Sequence, residues 1–264
     1  MTLTEALVIA TVEGLTEFLP VSSTGHMIIA EKFLGVESSD FTKLYTVGIQ
    51  LGAIVSVVVL YWKRFLTPLR TQRWAFYGKL MIAVLPALAL GFALSDAIDA
   101  MLDSPLTVAI SLIVGGCVLL FIDRLFRHER VEQEEAITQR TAFRIGLWQC
   151  LALIPGVSRS AASIIGGMQQ QLTRRLAAEF SFFLAVPTMA AATGYKLLKG
   201  YSELNAGNIR LFAIGNAVAF VVALLAIRFF IGFLQRHGFR LFGYYRIVAG
   251  LALLALILLK HLPA

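Results

Sequence analysis

Six stretches of this chain carry no Asp, Glu, Lys or Arg: 44–62, 80–95, 104–122, 180–195, 211–227 and 247–259. A helix that crosses a bilayer needs about 20 mostly apolar residues, and the shorter stretches reach that length when flanking Lys and Arg snorkel to the headgroups. The pattern predicts an all-α polytopic membrane protein with six transmembrane helices. A soluble helical protein with a large core is the alternative, and composition argues against it. Of the 264 residues 58% are hydrophobic, more than the roughly 45–50% of a soluble domain. The net charge of +7 comes from basic residues beside the apolar stretches. They read as topology determinants and contacts to membrane lipids, and no nucleic-acid partner is expected. Cys117 and Cys150 lie in apolar segments and are expected as small core residues, not as a disulfide or metal pair. No basic segment with a cleavage site opens the chain, so no removable signal peptide is expected.

Two polar islands interrupt this apolar sequence. Glu13–His26 reads E-G-L-T-E-F-L-P-V-S-S-T-G-H, and Pro155–Ser160 reads P-G-V-S-R-S. An ionisable residue at membrane depth costs several kcal/mol unless partnered, so such residues mark functional sites. Each island holds Pro and Gly beside hydroxyls, and helix is disfavoured just before proline. The apolar pieces around the second island, 145–154 and 161–168, are too short to cross. The expectation is two re-entrant helical hairpins, since irregular backbone at that depth survives only inside protein or along a wet cavity.

Sliding the chain by 136 residues aligns Glu13–Ile29 with Gln149–Ile165 and pairs Ser22 with Ser158. Each half then runs from a polar island through three long apolar stretches. An odd number of spans per half predicts an inverted-topology repeat, which places polar sites near the midplane at the repeat interface. The expected organisation is a first repeat over 1–122, a cytoplasmic connection over 123–144 and a second, inverted repeat over 145–264.

Charge bias orients the chain. Connections 63–79, 123–144 and 228–246 are rich in Lys and Arg, and 96–103 carries Asp96, Asp99 and Asp103 with no basic residue. Positive loops stay in the cytoplasm, so 96–103 and 196–210 lie outside. Lys196, Lys199 and Arg210 make the latter the weakest fit. The charged run from His128 to Thr138 reads as a solvated loop between the halves.

The islands carry the chemistry. Glu13 and Glu17, four apart, share one helix face. Either one holds a proton, or a cation sits between them, or both bond the following hydroxyl turn. A divalent cation (Mg or Ca) takes carboxylate oxygens, and Mg²⁺ bridges carboxylates to phosphate. Ser22, Ser23, Thr24 and Gly25 precede a new helix. A cap uses one hydroxyl, whereas a helix N-terminus with several donors suits an anion. His26 follows Ser23 at i+3 and is placed to act as its base. Arg159 offers a planar fork for phosphate, with an ion pair to Glu13 or Glu17 as the structural alternative. Ser158, Ser160 and Ser163 are expected as further donors to phosphate oxygens. The catalytic set is therefore Glu17, Ser23, His26 and Arg159. Nucleophilic attack by Ser23 and attack by water activated at His26 need the same residues.

These two motifs, together with F-S-F-F-L-A-V-P at Phe180–Pro187 and G-I-Q-L-G at Gly48–Gly52, closely resemble the bacterial undecaprenyl-pyrophosphate phosphatase (bacitracin-resistance) family. The resemblance runs through nearly the whole chain. It departs at Ala161, where the family usually has glycine, and at Ser163, where it usually has threonine. It implies an integral enzyme of the bacterial inner membrane that removes the terminal phosphate of undecaprenyl diphosphate and so recycles the lipid carrier of cell-wall synthesis. It also implies divalent-cation dependence and a site open to the periplasm. A transporter or flippase is the rival class, because inverted repeats with broken helices are a transporter pattern. A membrane scaffold leaves the intramembrane charges unexplained. Gly115, Gly116, Gly166 and Gly167 permit close helix contacts, either internal or across a homodimer.

Overall fold

A computed structural model of the protein describes residues 1–37, 39–65, 71–102 and 104–259. Arg70 and Asp103, counted above among the loop charges, lie outside the described residues. Among those described, the chain is helical with no strand. The helices are α1 Leu3–Thr16, α2 Ser23–Leu34, α3 Asp40–Gly48, α4 Gln50–Leu60, α5 Trp62–Phe65, α6 Thr71–Ala93, α7 Ser95–Leu102, α8 Pro105–Leu125, α9 Gln139–Gln149, α10 Arg159–Gln169, α11 Arg174–Lys199, α12 Ile209–His237 and α13 Arg240–Leu258. Six segments are long and apolar enough to cross a membrane: Asp40–Leu60 (α3 with α4), Trp74–Ala93, Pro105–Leu125, Arg174–Lys199, Ile209–His237 and Arg240–Leu258. Each contains one of the six charge-free stretches or most of it.

The helices around the polar islands are short. Helix α1 opens with a capping box, in which Thr2 Oγ1 accepts the Glu5 N–H and Glu5 Oε2 accepts the Thr2 N–H. It ends before Pro20, and α2 closes on Gly35 in the left-handed region at φ 66°. Helix α9 runs into a 3₁₀ turn, Cys150–Leu153, before the loop that leads to α10. At about 1.5 Å per residue, none of these four helices reaches across a bilayer alone.

Packing pairs the two halves reciprocally. Helix α1 lies on α12 while α9 lies on α6; α4 also lies on α12 while α11 also lies on α6; α8 packs on α13, and α4 on α11. Glycines allow the close approaches. Asn216 Oδ1 of α12 accepts the Gly52 N–H at 2.8 Å, at the break that separates α3 from α4. A side chain entering the helical ladder is a recognised cause of such a break. A Cβ at Gly116 would meet the Gly243 carbonyl at 2.8 Å, and one at Gly243 the Gly116 carbonyl at 2.9 Å. Gly115 lies against Arg246, Gly166 against Trp148 and Gly167 against Ala177. All four glycines singled out in the sequence therefore pack within the chain.

Two expectations change. Cys117 is an exposed free thiol, not a core residue, and Cys150 is free and half-buried. Arg246, counted with the 228–246 connection, lies inside α13 and is fully buried. The His128–Thr138 run is exposed along most of its length, as a solvated loop should be, and is anchored at a few points. Arg130 and Val131 donate to the Gln171 carbonyl, Ile137 is buried, and Glu134 accepts from Arg64 at 2.9 Å.

Candidate functional site: a hydroxyl and guanidinium pocket

The two polar islands meet. Glu17 caps the C-terminus of α1 and is 8% exposed. Its Oε2 accepts the Ser23 hydroxyl at 2.6 Å, and its Oε1 accepts Arg159 Nη2 at 3.1 Å. One carboxylate thus joins the first residue of α2 to the first residue of α10. The Arg159 fork is fixed from its other side by the Ser181 carbonyl at 2.9 Å and the Ser181 hydroxyl at 3.4 Å. Its guanidinium lies 5.7 Å from the centre of the Phe18 ring. Arg159 Nε has no hydrogen-bond partner, so the cation keeps one donor unsatisfied.

Ser22 and Ser158, the residues just before α2 and α10, have nearly the same unusual backbone. Their φ angles are 71° and 74°, and their ψ angles 97° and 116°. A non-glycine residue there costs roughly 1–3 kcal/mol and persists only when its surroundings impose it. Arg246 is one such imposition. Its Nη1 donates to the Pro20 carbonyl at 3.3 Å and the Val157 carbonyl at 3.0 Å, and its Nη2 to the Ser111 and Gly156 carbonyls at 3.1 and 2.9 Å. A fully buried guanidinium therefore clamps both island loops from behind, held by backbone dipoles and, among the described residues, by no carboxylate. Burying a cation costs several kcal/mol, so the clamp holds only while those carbonyls are in place.

A cavity of about 730 Å³ opens in front of this frame. Its floor is Glu17, Ser22, Ser23, Thr24, Ser158 and Arg159; apolar walls come from Met27, Ile28, Val47, Leu153 and Met189; Lys43, Ile98 and Lys196 stand among the remaining lining residues. Six of the sequence-predicted residues thus face one space. The others act around it. Ser160 is fully buried and donates to the Leu19 carbonyl at 2.8 Å. Ser163 donates to the Arg159 carbonyl at 2.9 Å and lies 2.7 Å from the Ser181 hydroxyl. Both brace the floor rather than line it. Gly25 faces α8, where a Cβ would meet Leu112 at 2.9 Å. His26 does not bond Ser23; its Nδ1 lies 2.7 Å from the Ser22 carbonyl and its Nε2 2.7 Å from the Tyr245 hydroxyl. Glu13 is fully buried on the face of Glu17, and neither of its carboxylate oxygens has a hydrogen-bond partner.

Sequence reasoning missed Arg246, Tyr245 and Ser181. Ser181 had a signal, a lone hydroxyl in the apolar run F-S-F-F-L-A-V-P. Arg246 had a weaker one, a lone arginine just before the last charge-free stretch.

Fold and site together define a polytopic helical membrane protein with a cavity lined by hydroxyls, a carboxylate and a guanidinium. The chain matches the family described as bacitracin resistance protein BacA over residues 6–252. It belongs to that family. It is 56% identical to the undecaprenyl-diphosphatase of Flavobacterium johnsoniae and 57% identical to that of Flavobacterium psychrophilum, each comparison covering 97% of both chains. It is 51% identical to the undecaprenyl-diphosphatase of Bdellovibrio bacteriovorus, over 99% of this chain and 98% of the relative.

Proposed function

We propose that the protein hydrolyses undecaprenyl diphosphate to undecaprenyl phosphate and inorganic phosphate within the bacterial inner membrane, recycling the lipid carrier. The observation that carries this reading is the Ser23–Glu17–Arg159 chain on the floor of a partly apolar cavity. It puts a nucleophile and a phosphate-binding cation on one carboxylate, which serves as the base. Phosphoryl transfer asks little more of a protein than such positioning and charge stabilisation.

The diphosphate enters the cavity, and the isoprenoid tail leaves along its apolar wall into lipid. Ser23 Oγ attacks the terminal phosphorus in line, and its proton passes to Glu17. The bond from that phosphorus to the bridging oxygen breaks, and undecaprenyl phosphate leaves with the bonding pair. Protonation removes the charge that held Arg159, which frees the guanidinium for the equatorial oxygens of the transferring group. Water then attacks the phosphoserine, the bond from phosphorus to Ser23 Oγ breaks, Ser23 takes back the proton held by Glu17, and inorganic phosphate departs with the water's oxygen. The serine route is favoured over direct attack by water at His26, because Ser23 touches Glu17 whereas both ring nitrogens of His26 are engaged elsewhere.

The residues beneath the cavity also suit a divalent cation. Glu13 is fully buried one helical turn before Glu17 and neither of its carboxylate oxygens is bonded, a donor chemistry that suits a hard divalent cation such as Mg²⁺ or Ca²⁺. Glu13 and Glu17 would hold it, and it would neutralise diphosphate charge.

The organisation that accompanies this function is two halves of opposite orientation, 1–122 and 145–264, joined by 123–144. Each contributes a re-entrant helix pair, α1–α2 or α9–α10, and three spans. The reciprocal packing of the halves and the matched serines at φ 71° and 74° support it. Ile98 and Lys196 of the cavity lining stand at the end of the molecule away from the arginine-rich connections, which supports a mouth on the periplasmic side. The test is phosphate release from undecaprenyl diphosphate by purified protein in lipid nanodiscs. Binding without release would make the protein a carrier of phosphorylated lipid.

A further inference from the structure

The polar apex of the first island is held at Ser22, and the hold does not end at the island. The Ser22 carbonyl is a pure acceptor, so the His26 nitrogen 2.7 Å from it carries a proton. In the neutral ring this leaves Nε2 as a lone pair, and the group facing it at 2.7 Å is the Tyr245 hydroxyl, which donates. The two rings lie nearly parallel, 8° apart, with centroids separated by 5.4 Å. Which nitrogen of a histidine carries the proton is set by the partner of the other one. Tyr245 therefore selects the tautomer that can donate to Ser22.

That donation has consequences for the site. Ser22 sits at φ 71° with no side-chain cap bond of its own. Its carbonyl is held by the His26 ring and, more loosely at 3.4 Å, by the His26 backbone N–H. The next residue is Ser23, whose hydroxyl direction follows from this turn. Tyr245 is also the neighbour in sequence of Arg246, which grips the Pro20 carbonyl on the other side of the same turn. Two consecutive residues of α13 thus fix the loop from both ends. Tyr245 is half-exposed on the flank of the helix, so its ring adds little to the core, and its hydroxyl is what the geometry uses.

We infer that Tyr245 is a positioning residue for the nucleophile, acting through the His26 tautomer and the Ser22 carbonyl to hold Ser23 on Glu17. This rests on the reading of Ser23 as nucleophile. It assigns a function to a residue more than two hundred positions away in sequence from the hydroxyl it serves.

The experiment uses the full-length protein in lipid nanodiscs with undecaprenyl diphosphate. In Tyr245→Phe the ring remains and one neutral hydrogen bond is lost, so kcat should fall about 3- to 10-fold with KM unchanged. Histidine ¹⁵N spectra at pH 8 read the mechanism directly. In the wild-type protein His26 should be a single tautomer protonated at Nδ1, and in Tyr245→Phe a mixture of both tautomers, with the melting temperature retained. A wild-type His26 protonated at Nε2 overturns the inference without any variant, as does a Tyr245→Phe protein with unchanged kcat or an unchanged tautomer. Ser23→Ala and Arg159→Ala are measured alongside. If these two retain turnover, the reading of the site fails; if they lose it while Tyr245→Phe is silent, only the role of Tyr245 fails.

Discussion

Ser23 and Glu17 are 2.6 Å apart, a separation typical of a hydroxyl donating to a charged carboxylate. Ser23→Ala removes the proposed nucleophile and leaves Glu17 and Arg159 paired. Turnover should drop by at least about a thousandfold, a size set by losing a covalent route rather than one contact. Residual turnover near wild type would point to direct attack by water. Glu17→Gln keeps shape but gives up both the proposed base and the counter-charge of Arg159. It should lower kcat by at least about a hundredfold while binding of a non-hydrolysable diphosphate analogue persists or tightens, because Arg159 is then free for phosphate. Analogue binding by calorimetry separates these effects. Both residues were legible in the sequence because carboxylates and hydroxyls in an apolar setting demand partners. The pairing was not. Ser23 has His26 at i+3 on the same helix, and only the turn through Pro20 swings Glu17 back into reach. Spacing along a helix says nothing of a contact made across a loop.

Among the elements, α13 carries the largest consequence that the sequence concealed. Its apolar stretch was plain, but Arg246 looked like the end of a basic connection, because a charge at a window edge usually marks the water boundary. Here it lies buried and reaches four carbonyls across three other segments. Lys in its place offers a point charge and no fork. Arg246→Lys should lower kcat more than tenfold and cost about 1.5–3 kcal/mol for each carbonyl bond not replaced, measured by thermal unfolding in detergent. Gly115 on α8 gives an independent check on the same clamp, since a Cβ there would collide with the guanidinium. Gly115→Ala should therefore mimic Arg246→Lys in activity, although residue 115 touches no part of the cavity. A Gly115→Ala protein with full activity would mean that the clamp is dispensable.

At the scale of the whole molecule, the positive-inside rule and the position of the cavity make one joint statement. The six spans were legible from the absence of charge, since a spanning helix needs that from composition alone. Orientation rests on a finer balance, for 196–210 holds Lys196, Lys199 and Arg210 and is still assigned to the outside. The end where the arginine-rich connections gather has structure of its own. Asp123 at the end of α8 accepts Arg174 Nε and the Phe239 N–H, both at 2.7 Å, and ties three segments together where the arginine-rich connections gather. The opposite end holds the exposed 3₁₀ turn Tyr201–Glu203. Single cysteines at Ser202 and Arg130, in a protein with Cys117 and Cys150 replaced by serine, sample these two ends. In intact spheroplasts a membrane-impermeant maleimide should label Ser202→Cys and spare Arg130→Cys until the membrane is opened. The reverse pattern would turn the cavity toward the cytoplasm. Phosphate would then be released inside, and the enzyme would act on a carrier lipid that has already returned across the bilayer.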